Sequence, residues 1–307
     1  MELRNLHKAI VCGIVGVALL TASHLKAQNL TLEGQTGGFI TPTAYVVYSA
    51  KGQFFSYPAV GYHFVNTSKV IGDIHTFSIA EGFANRAEVS YTRSVHQEGN
   101  SPLFSSLWHF AGMNIFSGKV VAIRDGQGSP LVPGLAAGVI VRTGDHFVTG
   151  ALDGSTYTNE DVYAAITKTW AHKPVPFLAN FGWKATNASI FGIGGQSTRF
   201  GGRVFGGLGI PLPGPLKTAI VPAVGFTQEP SQVKNLGSLL VGGRAHIPTT
   251  LDYAVRVTQR ENPHFAFDIG VGQVAGEIGT TYVAPVGFIP VNLEARKIVG
   301  MGLSLRY

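Results

Sequence analysis

The sequence predicts an all-β fold, a single antiparallel transmembrane β-barrel of about 12–14 strands preceded by a cleavable signal peptide. Three observations support this prediction. Segments of about ten residues alternate between apolar and polar side chains, as tilted membrane-crossing strands do. Charged residues make up only 13% of the chain while 45% are hydrophobic, so charge cannot cover the surface. The sequence closes on a regular alternation, IVGMGLSLRY, with no polar tail.

The N-terminal residues 1–27 have the features of a secretory signal peptide. Arg4 and Lys8 precede the apolar run AIVCGIVGVALL, and Ala27 offers a small residue for cleavage. The run is too short to cross a bilayer as a helix, which disfavours a retained anchor. Cleavage would remove Cys12, the only cysteine, so the mature chain is predicted to contain no disulfide or cysteine metal site.

The mature chain contains no apolar run long enough for a membrane-spanning helix, but it repeatedly shows a period of two. In FLANFGWKATN, for example, Phe177, Phe181 and Trp183 alternate with Asn180 and Lys184. Similar segments predict strands near 51–64, 69–80, 86–95, 114–124, 133–143, 159–170, 176–187, 199–210, 217–228, 238–247, 251–260, 263–274 and 296–307. Bacterial barrels usually have an even number of strands, so either one segment is miscounted or residues 30–40 add a strand.

A soluble β-sandwich would also show a period of two, but two further features favour a barrel over residues 51–307. The segments are longer than strands of soluble sheets, which average about five or six residues. The connections alternate between tight turns, as at 211–215 and 261–263, and longer stretches, as at 96–113, 144–158 and 275–295. A barrel with one turn side and one loop side has this alternation.

The final strand is predicted to close the barrel, because an open sheet edge in lipid leaves backbone groups unpaired at a cost of several kcal/mol or so each. Gly300, Gly302, Ser304 and Arg306 would face the lumen. The lipid-facing residues, which we also expect to form the assembly signal, are Val299, Met301, Leu303, Leu305 and Tyr307.

Several stretches add a resemblance to known proteins. VGMGLSLRY resembles the closing strand of bacterial outer-membrane proteins, which the barrel assembly machinery reads. LEGQTGGFITPTA (32–44), GFANRAEVSYTRS (82–94) and ANFGWKATNASIFGIGG (179–195) are similar to an uncharacterised family of Gram-negative outer-membrane barrels. The first of them also resembles exopolysaccharide-associated barrels with a glycine- and Thr-Pro-rich start. The resemblance implies a location in the cell outer membrane and the barrel assembly machinery as a partner, but no substrate and no functional residues.

In the predicted strands, the residues that alternate with the apolar positions are expected to face the lumen. The basic residues at these positions are the candidate lumen-lining group: Arg142, Arg199, Arg203, Arg244, Arg256 and Arg260. They could favour anionic solutes, as arginine rings do in anion pores. Alternatively, they could pair with acids and fill a closed lumen. A barrel of this size lies between filled barrels and open porins, which favours a narrow or plugged lumen. The segment 28–50 is either a lumen plug or a first strand.

No catalytic residues, metal ligands or cofactors are predicted, because the chain contains neither G-x-S-x-G nor H-E-x-x-H. No basic run indicates nucleic acid. We therefore expect a non-catalytic outer-membrane barrel, porin-like and in contact with outer-membrane lipid. It would pass or hold a small solute or polysaccharide, or act as an exopolysaccharide or envelope accessory. The alternatives are a barrel enzyme acting on lipid or polysaccharide through His109 or His246, and a soluble periplasmic β-sandwich.

Overall fold

The computed structural model describes residues 29–102, 105, 110–146, 157–170, 175–193, 196–230, 240–243, 245, 247–260 and 264–306. These residues form an all-β structure, and no helix among them is long and apolar enough to cross a membrane. The strands are β1 Ala59–Asn66, β2 Asp73–Phe83, β3 Ala87–Gln97, β4 Phe110–Ile123, β5 Gly134–His146, β6 Tyr157–Trp170, β7 Phe177–Ala188, β8 Gln196–Gly209, β9 Leu212–Pro213, β10 Thr218–Thr227, β11 Thr250–Gln259, β12 Phe265–Gln273, β13 Ala275–Val283, β14 Gly287–Ala295 and β15 Ile298–Arg306.

Twelve of the described strands form one closed antiparallel barrel. Strands β1 to β8 pair in sequence, and β10, β11, β12 and β15 continue the order. Strand β15 then pairs with β1, from Arg306 opposite Ala59 to Val299 opposite Asn66, so no edge is left open. The predicted antiparallel barrel is therefore confirmed, with a strand number at the lower end of the expected range, and the β-sandwich alternative is wrong. The predicted signal peptide, residues 1–27, lies outside the described residues.

The alternation of side chains separates an apolar outer surface from a mostly polar inner one. On β6, Val162 is 52% exposed while its neighbour Asp161 is 2% exposed. On β7, Phe181 is 54% exposed, whereas Thr186 is fully buried. Other half-exposed apolar residues of the outer surface include Phe77, Val89, Phe116, Tyr253, Ile269 and Val271. A belt of this kind around a closed barrel is suited to contact with lipid acyl chains.

Three sequence predictions about strands need correction. Residues 240–243, 245 and 247 form no strand, so the predicted strand 238–247 is the miscounted segment. The first barrel strand begins at Ala59 instead of residue 51. The predicted connection 275–295 contains the separate hairpin β13–β14, whose residues Ile278 and Leu293 pack in the barrel interior. Buried apolar residues of 238–247 and 275–295, such as Leu240 and Ile278, pack inward on other protein segments.

The two ends of the barrel differ in the length of their connections. At one end, here called the short-turn rim, lie the start of β1 and the end of β15 together with the connections 84–86, 124–133, 171–176, 210–217 and 260–264. At the other end, the loop rim, lie the strand ends that flank the connections 67–72, 98–109, 147–156, 189–195, 228–249 and 274–297. The predicted tight turns at 211–215 and 261–263 belong to the short-turn rim and the predicted longer stretches at 96–113, 144–158 and 275–295 belong to the loop rim, although the connection 124–133 at the short-turn rim is longer than 67–72 at the loop rim.

The side chains of the closing strand β15 point outward and inward as the sequence predicts. Val299, Met301, Leu303 and Leu305 are 39–50% exposed on the outside. Gly300 and Gly302 face inward, and each leaves room for a ring. A Cβ on Gly300 would lie 2.7 Å from Phe39 Cζ, and one on Gly302 would lie 2.3 Å from His63 Cδ2. Tyr307, the last predicted residue of this face, lies outside the described residues.

Replacement of Gly302 is expected to disturb barrel closure. Valine at this position must displace the His63 ring, which is fully buried, so Gly302→Val should lower the free energy of unfolding by about 1–3 kcal/mol. Gly118→Val on β4 is the matched control, because a Cβ at that position would have no atom within 4 Å beyond its own chain neighbours. Urea unfolding in lipid vesicles, followed by tryptophan fluorescence, measures both. Equal stability of the two variants would contradict the packing argument.

Candidate functional site

The chain from Asn29 to Tyr48, here called the plug, lies inside the barrel. It forms no barrel strand, only the isolated bridges Leu30 with Thr36 and Gly37 with Pro42. Leu30, Gln35 and Thr36 are at most 1% exposed. The plug makes hydrogen bonds to inward-facing side chains on β3 to β7, β11, β12 and β15, which are spread around most of the wall.

Glu88 on β3 is the most connected anchor of the plug. Its carboxylate accepts hydrogen bonds from the Thr36 backbone N–H at 2.9 Å, from the Thr36 hydroxyl, and from the Val47 N–H at 2.8 Å. Lys119 on β4 lies 3.3 Å from the same carboxylate and donates to the Thr36 carbonyl at 2.9 Å. Glu88 and Lys119 are 1% and 2% exposed, so a buried ion pair contacts two separate parts of the plug, at Thr36 and at Val47.

Arg142 on β5 is the second anchor. Its Nε and Nη2 donate to the two oxygens of Glu33 in the plug, the second contact being 2.9 Å. Nη2 also donates to Asp161 on β6 at 2.8 Å, and Nη1 donates to Asn159 at 3.3 Å. The guanidinium group is therefore surrounded by two carboxylates and an amide oxygen. Such forked geometry is the strongest kind of Arg–carboxylate contact.

A third anchor lies on β11 and β12. Arg256 donates to both oxygens of Asp268, at 2.8 Å and 3.1 Å, and to the Gly37 carbonyl of the plug at 3.2 Å. Asn29, at the start of the plug, donates to Asp268 Oδ2. Asp268 and Arg256 of the wall are thus hydrogen-bonded both to each other and to the plug.

The plug leaves the lumen at the short-turn rim. Tyr45 Oη donates to Asp125 at 2.8 Å and contacts Thr169 Oγ1 at 2.7 Å, and burial raises the pKa of this phenol well above its usual value. Arg306 donates to the Tyr48 carbonyl at 2.7 Å. Further on, Ser49 N–H donates to Asn85 Oδ1 at 2.8 Å. These contacts tie the outgoing chain to the rim.

Apolar side chains fill the loop-rim half of the lumen. Inward residues of the wall, such as Ile115 and Ile140, pack with residues from the loop-rim connections and from the β13–β14 hairpin. This group is called the loop-side cluster, and its members from the connections and hairpin include Ile71, Ile190, Ile193, Leu240, Ile278 and Leu293. Glu229 lies buried in one of these connections, its Oε2 accepting the Ile190 N–H at 2.9 Å, and burial raises its pKa to about 7. The plug and the loop-side cluster together fill most of the lumen.

A cavity of about 100 Å³ lies between the plug and the wall. It is lined near the short-turn rim by Leu178 and Pro211, and further in by Asp252, Arg256 and Asp268. Phe39 of the plug, Asp252 and Ala254 also line a smaller apolar cavity of about 30 Å³ on the loop-rim side. These three residues therefore border both cavities.

Asp252 is the exceptional group in this cavity. Its side chain is 8% exposed, and its Oδ1 has no hydrogen-bond partner within the described part of the chain. The nearby Arg256 forms its ion pair with Asp268. Gly225 on the neighbouring strand makes room for the carboxylate, since a Cβ there would lie 2.2 Å from Asp252 Oδ1.

The six predicted lumen arginines do not form one group. Arg142 and Arg256 face the lumen and are paired with acids as described above. Arg203 is half-buried and donates to the Glu229 carbonyl at 2.9 Å. Arg199 is exposed near the loop-rim end of β8, and Arg260 follows the end of β11 at the short-turn rim. Arg244 lies outside the described residues.

Other lumen charges were not singled out from the sequence. Lys119, Lys184 and Asp161 face inward, and Lys184 Nζ lies 4.0 Å from Asp161 Oδ2. These three residues alternate with the outward apolar residues of β4, β6 and β7, and this pattern could have indicated from the sequence that they face the lumen. Glu33 had no such signal, because the plug has no regular period.

The described residues contain no group of three or more His, Cys, Asp or Glu side chains that could hold a metal ion. His109 and His246, the bases of the enzyme alternative, lie outside them.

Comparison with known families identifies the chain. Residues 27–203, more than half of the sequence, match DUF3034, whose description reads "Protein of unknown function". The chain therefore belongs to the DUF3034 family, which confirms the resemblance to an uncharacterised family. No curated protein matches the sequence.

Several solved barrels are similar in structure at low sequence identity. The KdgM porin is 10% identical with a TM-score of 0.46, over 81% of this chain and 99% of that chain. The NanC porin is 9% identical with a TM-score of 0.44, over 81% and 100%. The β domain of the Bordetella autotransporter BrkA is 12% identical with a TM-score of 0.35, over 83% and 100%.

Proposed function

We propose that this member of the DUF3034 family is a non-catalytic, porin-like barrel of the outer membrane whose lumen is held closed by its own N-terminal plug. The observation that carries the proposal is the burial of residues 29–48 and their anchoring by Glu88, Arg142 and Asp268. A solute would cross only when these contacts are displaced. The lumen is therefore a gated or solute-holding interior instead of a permanently open pore.

The outer surface supports the membrane location. Large apolar side chains on the outside of the barrel strands expose 37–59% of their surface, which is unfavourable in water and favourable in lipid. Short turns of bacterial barrels usually face the periplasm and long loops the outside. In the proposed orientation the short-turn rim, where the plug leaves the lumen, faces the periplasm.

The charges of the lumen favour closure over anion selection. Arg142 and Arg256, two inward arginines of the described wall, each form an ion pair with a carboxylate. A paired guanidinium offers a passing anion much less attraction than a free one. An accessory role beside exopolysaccharide stays a prediction, since no feature of the described lumen favours it over other envelope roles.

Two measurements on the full-length protein test this proposal. The folded barrel should fractionate with the outer membrane and migrate differently on gels before and after boiling. In planar bilayers it should show little steady conductance compared with an open porin. Recovery in the soluble periplasmic fraction would contradict the location, and a large, constant conductance would contradict closure by the plug.

We also propose that the outward face of β15, together with Tyr307, is the signal read by the barrel assembly machinery. Removal of Tyr307 is expected to reduce the amount of heat-modifiable barrel in the outer membrane, while in vitro folding into detergent changes little. Replacement of Tyr57, an exposed aromatic residue outside β15, by alanine is the comparison. Undiminished insertion without Tyr307 would contradict an assembly role.

A further inference from the structure

We propose that the cavity beside Asp252 is a binding pocket for a small organic cation that carries an ammonium group. This pocket would add a ligand to the proposed function. It rests on that function only for the orientation of the barrel, which decides whether the ligand enters from the periplasm. It reverses the charge preference suggested by the arginine content of the sequence.

The charge of the pocket is set by Asp252. Arg256 and Asp268 neutralise each other through two hydrogen bonds, so they contribute no net charge to the pocket. Asp252 remains, almost fully buried and with Oδ1 unpartnered within the described structure. A buried carboxylate without a partner is strongly unfavourable, and a bound cation would supply the missing hydrogen bond and charge.

The shape and lining of the pocket suit a short amphipathic ligand. A cavity of about 100 Å³ has room for several water-sized groups and hence for a ligand of a few heavy atoms. Thr41, Thr43 and Asn180 add polar groups to the lining of the cavity, and Ala223 and Leu178 add apolar surface. An ammonium group donates three hydrogen bonds, and a short alkyl body would cover the apolar wall.

The pocket is approached from the short-turn rim. The cavity extends from Pro211 and Leu178, at that rim, to Asp252 and Phe39, which also border the apolar cavity on the loop-rim side. A ligand entering at the short-turn rim would therefore reach Asp252 without displacing the anchors at Glu88 and Arg142. In the orientation proposed above, that ligand comes from the periplasm.

The test compares three probes of similar size on the full-length, detergent-folded barrel by isothermal titration calorimetry. The probes are n-butylammonium, butan-1-ol and butyrate, at constant ionic strength. We expect n-butylammonium to bind at least about tenfold more tightly than the other two. Butyrate or butanol binding equally well would overturn the proposal, and so would an absence of n-butylammonium binding.

Two variants locate the site. Asp252→Asn removes the charge, and Ala223→Leu fills the cavity without changing charge, so each should weaken n-butylammonium binding by at least about tenfold. Asp73→Asn, near the loop rim where Asn66 is its partner, is the matched control and should bind as wild type. Heat-modifiable gel mobility verifies that each barrel is folded. Unchanged binding in both cavity variants would overturn the proposal.

These outcomes are independent of closure by the plug. Binding is measured at equilibrium and needs no conduction, so a steadily conducting barrel would contradict the proposed function while leaving the pocket in place. Conversely, a closed barrel that binds no ammonium compound would retain the proposed function and remove the pocket.

Discussion

Deletion of residues 31–44 is expected to expose the lumen wall to water. The deletion removes Glu33, Gln35 and Thr36, which contact Arg142, Tyr163 and Glu88. Ser117, inward-facing on β4 and 9% exposed, lies two residues from Lys119, which contacts the plug, and serves as the reporter. In the Ser117→Cys background, the deletion should accelerate labelling by a water-soluble maleimide about a hundredfold, the ratio for an opening free energy of about 3 kcal/mol.

The labelling is specific because the chain from residue 28 onward contains no cysteine. Leu131→Cys, at a 79% exposed position on the short-turn rim, should react equally fast with and without the deletion. Gel mobility before and after boiling confirms that the shortened chain still forms a barrel. Equal protection of position 117 in a folded, shortened barrel would show that the plug is not what keeps water from the wall.

The conductance of the same shortened protein shows whether the plug alone blocks the lumen or the loop-side cluster blocks it as well. If the plug is the main barrier, current through planar bilayers should rise well above that of the full-length protein. If labelling increases but current does not, the loop-side cluster is a second seal. The packing of Ile71, Ile190 and Ile278 across the loop-rim half makes that result physically reasonable.

The barrel was predictable from the sequence because the outward side chains of each strand face lipid while the inward side chains face a mostly polar lumen. Val299, Met301, Leu303 and Leu305 face outward as expected, since lipid accepts side chains that the polar lumen does not. The alternation is a local property and needs no knowledge of distant contacts. Closure of β15 on β1 followed from the need to pair every backbone group in lipid.

The plug could not be decided from sequence, because its burial depends on distant partners. Glu33, Gln35 and Thr36 would be read as surface residues, and only Arg142, Tyr163 and Glu88 make their burial possible. From local pattern alone, this segment could equally be a strand or a plug. The predicted strand 238–247 failed for a related reason: Leu240, Ala245 and Ile247 are apolar, but they pack within the barrel.

Loss of the Arg142 side chain is expected to be the most damaging single substitution in the lumen. Arg142→Met leaves the carboxylates of Glu33 and Asp161 buried without their shared partner. Breaking a buried ion pair from one side typically costs about 3–5 kcal/mol. We expect a loss of this size in the free energy of unfolding, measured by urea titration in lipid vesicles, and faster maleimide labelling at Ser117→Cys.

A double-mutant cycle identifies the plug as the affected part. Glu33→Gln alone should cost less, because Arg142 keeps its contact of 2.8 Å with Asp161. In the Arg142→Met background, the same Glu33→Gln change removes an uncompensated charge and should restore about 1 kcal/mol or more. Arg124→Met, at an exposed position of the short-turn rim, should change stability by no more than about 0.5 kcal/mol.

The sign of the coupling distinguishes anchoring from ordinary wall packing. If Arg142 mainly stabilised the β5–β6 pair through Asp161, Glu33→Gln would have the same effect with and without Arg142. If Arg142 holds the plug, the two substitutions are strongly non-additive, and labelling at position 117 follows the unfolding energies. Additive energies with unchanged labelling would leave the plug held by Glu88 and Asp268, with Arg142 acting only on the wall.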